Sequence, residues 1–196
     1  MIQAVAFDLD GTITRPFLNF SQIRLEIGVA LGRQSLLDQL ESLPAEEKQR
    51  GLAVLERHET EAAENAELNR DVKKLLDRVR ELGLLCSVIT RNSKRSTDVV
   101  CEKLSICFDH VITRDSGLPI KPDPAPLLYL SEKWNIPTSR IFMVGDFLYD
   151  VQSGKAAGSP TCLVTNGRDM PDTAGADYVV EHPGEVIPIL DGWFAK

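Results

Sequence analysis

The sequence has no apolar run of membrane-spanning length, and no signal peptide precedes its first candidate strand. These features lead us to expect a soluble, cytoplasmic protein. It has no Cys-x-x-Cys pair. Cys86, Cys101, Cys107 and Cys162 lie scattered in apolar settings. That pattern reads as buried thiols in a reducing compartment, not as a disulfide framework or a zinc site. A positive balance is also missing. The formal net charge is −7, which argues against nucleic acid or an anionic membrane as the main partner. An anionic substrate would therefore need local cations or a metal. There is neither an internal repeat nor a low-complexity linker. What remains is ordinary globular material of 196 residues, 43% hydrophobic and 26% charged. It suffices for one medium domain, or for a core with an inserted subdomain.

The most informative stretch is Ile2–Thr14. Ile2–Phe7 is almost unbroken apolar, the pattern of a parallel strand buried on both faces. It runs straight into Asp8-Leu-Asp10-Gly-Thr12. Both carboxylates then stand at the strand's C-terminal tip, the edge where open α/β sheets bind ligands. Carboxylates this close repel, and a hard divalent cation, most simply Mg²⁺, would relieve the repulsion. Gly11 permits a sharp turn after the second acid. The plainer reading is a strand capped by an Asp-Gly turn. The downstream sequence decides between the two.

Residues 17–82 read as helical. Phe20, Ile23 and Ile27 recur at helical spacing, and Leu36, Leu37, Leu40 and Leu43 form a second short face. Pro44-Ala-Glu-Glu looks like a helix start, and 45–66 is strongly helical by propensity. Asn69-Arg-Asp opens another helix carrying Val72, Leu75, Leu76 and Val79, ended by Gly83. From Leu84 onward, strands alternate with helices. Strands are expected at Leu84–Ile89, Asp109–Thr113, Ile141–Val144, Thr161–Val164 and Tyr178–Val180. Helices are expected over about 94–104, 124–134, 149–157 and 184–192. Residues 17–66 thus interrupt a doubly wound sheet directly after its first strand. They read as a lid over the strand ends; the alternative is packing beside the sheet.

Four polar clusters end strands or enter helices: Asp8/Asp10, Thr90, Lys121 and Asp146/Asp150. Each has a plain reading alone: a turn, a helix cap, a loop lysine, another turn. Their joint placement at strand ends carries the case. Asp8-Leu-Asp10-Gly-Thr resembles motif I of the haloacid dehalogenase-like (HAD) superfamily. Thr90 resembles motif II, Lys121 in Lys-Pro-Asp-Pro motif III, and Gly145-Asp146-x-x-x-Asp150 motif IV. The helical insertion is similar to the cap of the phosphoglycolate phosphatase-like and β-phosphoglucomutase-like branch, though shorter. The resemblance implies a Rossmann-like parallel sheet core over 1–16 and 67–196, with a small all-helical cap over 17–66.

It also implies roles. Asp8 would be the nucleophile, forming an aspartyl-phosphate, and Asp10 the general acid and base. Mg²⁺ would be held by Asp8, the Asp10 backbone carbonyl and Asp146, with Asp150 acting from behind them. Thr90 and the Arg91 amide would bind phosphate oxygens, and Lys121 would neutralise charge. In the insertion, Arg24, His58 and Glu59 are candidates for substrate contact; for His58 the plainer reading is a solvated helix face. The implied function is a Mg²⁺-dependent phosphatase of small phosphomonoesters. Asp10 separates this from phosphoryl-transfer ATPases, which carry Thr there, and from dehalogenases, which lack the second Asp. A β-phosphoglucomutase-type phosphomutase is the alternative. A receiver-like phospho-acceptor domain fits less well, because a lid interrupts the fold and an acid follows the acceptor. A catalytically dead binding module also fits poorly, since every expected polar position is filled.

Overall fold

The computed structural model describes residues 1–31 and 35–195. Six short strands build one sheet: β1 (Ala4–Phe7), β2 (Leu85–Ile89), β3 (His110–Ile112), β4 (Ile141–Gly145), β5 (Thr161–Val164) and β6 (Tyr178–Val180). Their order is β3-β2-β1-β4-β5-β6, and every pairing is parallel. β1 is fully buried and lies between two neighbours: Phe7 pairs with Val88 on one side and Val144 on the other. This is why Ile2–Phe7 carries no polar residue after Gln3.

The strand period of two divides β1 between two cores. Val5 and Phe7 face a layer made by Val72, Leu75, Leu76 and Val79 of α4 (Val72–Glu81) and by Val186 and Leu190 of α8 (Val186–Phe194). Ala4 and Ala6 face Leu127 and Leu130 of α6 (Ala125–Trp134), together with Met143. Two further helices complete the layers, α5 (Lys94–Leu104) and α7 (Leu148–Ala157). The chain runs outward from β1 through β2 to β3, then returns to lay β4 against the other side of β1. The C-terminal crevice between β1 and β4 is therefore the topological switch point, where such sheets take ligands.

The predicted insertion is helical: α1 (Phe20–Ile27), α2 (Leu36–Glu41) and α3 (Ala45–Glu64). Residues 32–34 of it lie outside the described residues. Ile23, Leu36, Leu40 and Leu55 make a third apolar cluster, separate from the two that flank the sheet. Gly51 lets α3 approach α2, since a Cβ there would stand 2.3 Å from a Leu40 methyl. The end of α3 belongs elsewhere: Ala63 joins the sheet core. The two connections to the insertion run side by side. Thr14 bridges Leu68 in antiparallel fashion, Arg15 N–H donates to Glu67 O (3.0 Å) and Asn69 N–H to Ile13 O (2.9 Å).

Sequence and structure differ mainly at element ends. β1 starts at Ala4, not Ile2, and β3 is shorter than expected. The helix expected from Asn69 begins at Val72, because Asp71 is left-handed (φ 57°). The last helix splits into a 3₁₀ turn (Pro183–Glu185) and α8, as Pro183 fits a tight first turn.

Candidate active site

The strand tips gather the core residues singled out by the sequence. Asp8 follows β1, and its N–H donates to Val144 O (2.9 Å), which fixes it beside β4. Asp146 follows β4. Asp150 lies in the first turn of α7, where its carboxylate accepts from Phe147 N–H (3.0 Å). Oxygens of Asp8, Asp146 and Asp150 all lie within 4.8 Å of one another. Two glycines make that approach possible. At Gly11 (φ +80°) a Cβ would fall 2.2 Å from Asp146 Oδ2, and at Gly145 a Cβ would fall 2.2 Å from the Asp150 side chain.

Lys121 is buried at the centre. Its Nζ lies 2.5 Å from Asp8 Oδ1 and 2.6 Å from Asp150 Oδ1, and donates to Ile89 O at 2.6 Å. Arg168 lies at the rim and donates to both Asp146 O (2.7 Å) and Asp146 Oδ2 (2.8 Å). Two cations thus face three buried carboxylates. Burial pushes Asp8 well above its ordinary value, and the charges of Asp150 and Asp146 add to this against the pull of Lys121. Burial and Asp150 push Asp146 up to about 7, against Arg168. Lys121 is raised: burial works against its charge, but Asp150 and Asp8 outweigh it.

A group of hard oxygen donors that resists ionisation alone suits a small divalent cation. Asp8, Asp146 and Asp150 fit Mg²⁺ in donor type, burial and spacing. Asp150 is nearer this cluster than its expected supporting place suggests. The Asp10 carboxyl is not part of the cluster. It accepts from Asn92 Nδ2 (2.6 Å) and from Thr14 Oγ1 (3.2 Å). Burial raises its proton affinity, and these two donors restrain the rise. Asp10 also borders a crevice of about 360 Å³ lined by Thr14, Phe17, Ala62, Asn65 and Glu67.

Thr90 directly follows β2, buried, with its hydroxyl accepting from Asn92 N–H (3.1 Å). The Arg91 side chain reaches the inserted helices: it donates to Ser35 Oγ, lies 3.8 Å from Asp38 and sits 5.0 Å above the Tyr149 ring. Burial lowers its proton affinity, opposed by Asp38 and Tyr149. The insertion candidates go elsewhere. Arg24 donates to Gln39 Oε1 and Phe20 O (both 3.3 Å), and His58 Nε2 lies 2.9 Å from Glu26. Glu59 turns into the core, to Arg114 Nη1 at 2.5 Å. Burial raises it, against Arg114.

Asn92 and Arg168 carry site contacts that the sequence reading did not assign. Arg168 follows β5 in Thr165-Asn166-Gly167-Arg168. The polar-strand-end rule that found Thr90 and Asp146 points there to Thr165, not to Arg168.

Residues 5–164 match the haloacid dehalogenase-like hydrolase family. The chain belongs to that family. It is an enzyme of that class, on an α/β sheet of the family's kind. It is 30% identical to the N-acetylmuramic acid 6-phosphate phosphatase of Pseudomonas aeruginosa, over 97% of this chain and 95% of the relative. It is 27% identical to the phosphoglycolate phosphatase of Pseudomonas syringae pv. tomato, over 95% and 76%. A hydrolase structure from Pseudomonas syringae superposes with TM-score 0.83 over 97% of this chain and 98% of that one, at 19% identity. Among the described residues, no helix is long and apolar enough to cross a membrane.

Proposed function

We propose that this protein is a Mg²⁺-dependent phosphatase of small phosphomonoesters, acting through an aspartyl-phosphate. The observation that carries the reading is the meeting of Asp8, Asp146, Asp150 and Lys121 at the β1/β4 switch point, with Asp10 held beside them by its own donors. Relatives named as phosphatases support it.

An Asp8 oxygen attacks phosphorus in line with the leaving oxygen, forming an acyl phosphate. Asp10 donates a proton to the departing alkoxide. The Asp10 carboxylate then takes a proton from water, which attacks the same phosphorus, releases phosphate and restores Asp8. Thr90 and the Arg91 amide hold phosphate oxygens, while Lys121 balances the charge on Asp8. Mg²⁺ would be held by the Asp8 and Asp146 carboxylates and the Asp10 carbonyl, with Asp150 beside them, and would supply further charge neutralisation.

The catalytic core comprises 1–16 and 67–196, and residues 17–66 form a cap. The cap's separate apolar cluster supports this division. Closure over the crevice excludes water and selects the leaving group. The partner is a small phosphorylated metabolite. Free thiols at Cys86, Cys101, Cys107 and Cys162 support a cytoplasmic setting.

The test is phosphate release from p-nitrophenyl phosphate, with Mg²⁺ and with excess chelator. Mg²⁺-dependent net release that is lost in Asp8→Asn supports the reading. Release that persists in chelator removes the metal, and phosphate transfer between substrates without net release makes the protein a mutase.

A further inference from the structure

Two consecutive peptide groups after β2, Arg91–Asn92 and Asn92–Ser93, are held by Arg114 and Glu59, which pair with each other in a buried setting. Arg114 Nη1 donates to Arg91 O (3.2 Å), and the Arg114 backbone N–H donates to Asn92 O (3.1 Å). Glu59 Oε2 accepts from Ser93 N–H (3.4 Å), and Glu59 Oε1 accepts from Arg114 Nη1 (2.5 Å). The Glu59 and Arg114 side chains are only 2% and 14% exposed, so water screens the pair little. Between the held carbonyl of Arg91 and the held amide of Ser93 stands Asn92. Its amide nitrogen is 2.6 Å from Asp10 Oδ2, and its backbone N–H is fixed on Thr90 Oγ1.

We propose that Asn92 is a positioning residue that aims the Asp10 carboxyl at the leaving oxygen, and that the Glu59–Arg114 pair holds the loop that presents it. The inference rests on the phosphatase reading above. A carboxyl on a turn has a free χ2 rotation, and one short hydrogen bond from a locked amide removes much of it. Thr14 fixes the other oxygen less closely, at 3.2 Å. The loop itself needs holding, since its peptide groups belong to neither β2 nor α5. Glu59 comes from α3, the helix that also builds the cap cluster. The pair thus ties the insertion to the loop that aims the acid.

A residue that only stabilises the fold would lower all rates alike. An aiming residue has a different signature, because a poor leaving group needs the proton and a good one does not. The experiment compares phosphoenzyme formation in single turnovers with glycerol phosphate and p-nitrophenyl phosphate. For Asn92→Ala, the alkyl substrate should lose about tenfold more rate than the aryl one, with KM nearly unchanged. Asn92→Ser, too short to reach Asp10, provides a second variant should the first fail to fold. The double variant Glu59→Gln/Arg114→Met removes the pair without leaving a buried charge. It should show the same selectivity in smaller degree, and adding Asn92→Ala to it should cost less than in the parent. Equal losses for both substrates, or strict additivity, overturn the inference while leaving an active parent as a phosphatase. A parent that releases phosphate from neither substrate overturns both readings.

Discussion

Two regions of the molecule use the same contact in opposite ways. At the strand tips, Lys121 meets Asp8 and Asp150 with side chains 2%, 12% and 3% exposed. On the inserted helices, Glu26 meets Arg57 and His58 with side chains 40%, 57% and 15% exposed. On paper both bring carboxylates within hydrogen-bond reach of nitrogen donors. Water screens the second set, and exposed pairs of that kind contribute little. In the first set each charge depends on its neighbours, because removing one leaves the others buried and unmatched. What marks the functional region is therefore buried, unbalanced charge, not the number of ion pairs.

The sharpest way to break this comparison is Asp8→Asn. The shape is kept and one buried negative charge is removed. Turnover of an aryl phosphate should fall by more than about a thousandfold, while the melting temperature holds. Retained activity above about one per cent would remove Asp8 as nucleophile. Lys121→Met comes next. It strands Asp8 and Asp150 together and should cost about 3–5 kcal/mol of metal-free stability by denaturant unfolding. A loss as small as that of a surface lysine would show that the cluster is better solvated than its burial implies.

The same contrast explains what was legible in the sequence. The core motifs could be read because buried strands are continuous apolar runs, and each polar residue ending one stands out. Asp8, Thr90 and Asp146 were found in that way. Asn92 and Arg168 were not, since Arg168 lies four residues beyond the end of β5 and their partners are distant in sequence: Asp10 for one and Asp146 for the other. The insertion has no such code. Its helices were legible from propensity, but periodicity does not say which way a polar side chain turns. Glu59, one of the candidates for substrate contact, follows the buried face of α3 into the core, while neighbouring His58 pairs with Glu26. Gly51 gave no signal at all, because only the packed structure shows the Leu40 methyl it accommodates.

A smaller effect concerns pH. Folded Asp146 takes up its proton near about 7, against an ordinary 3.8, and Asp8 is raised as well. Between those values the folded chain holds more protons than the unfolded chain. Metal-free stability should therefore fall as pH rises through this window, and the loss should level off above the folded value. Mg²⁺ replaces the protons, so its stabilisation should grow over the same range. At 100 times its Kd it should reach about 2.7 kcal/mol, or roughly 5–10 °C in Tm. Thermal melts in chelator and in Mg²⁺, at about pH 5 and about pH 7.5, measure both trends. A metal-free Tm that climbs between these two values would contradict the raised proton affinity of Asp8 and Asp146.

The smallest expected effect lies on the inserted helices. Glu26→Ala removes the partner of both Arg57 and His58, and Glu26 and Arg57 themselves lie in solvent, with side chains 40% and 57% exposed. A released Arg57 can hydrate at once, so Tm should move by no more than about 1 °C. Phosphate release from p-nitrophenyl phosphate should not change, because the contacts of Asp8, Asp10 and Lys121 do not involve this pair. His58→Ala is the more discriminating variant. With its ring on Glu26, His58 is a helix-surface residue, and KM values across a panel of metabolite phosphates should keep their ranking. A rise in KM of more than about tenfold for one substrate, with the aryl phosphate unaffected, would mean that His58 leaves Glu26 to meet that substrate when the cap closes. The cap would then hold a specificity residue whose role the resting ion pair conceals, and the division between a chemically active core and an inert helical surface would fail at that position.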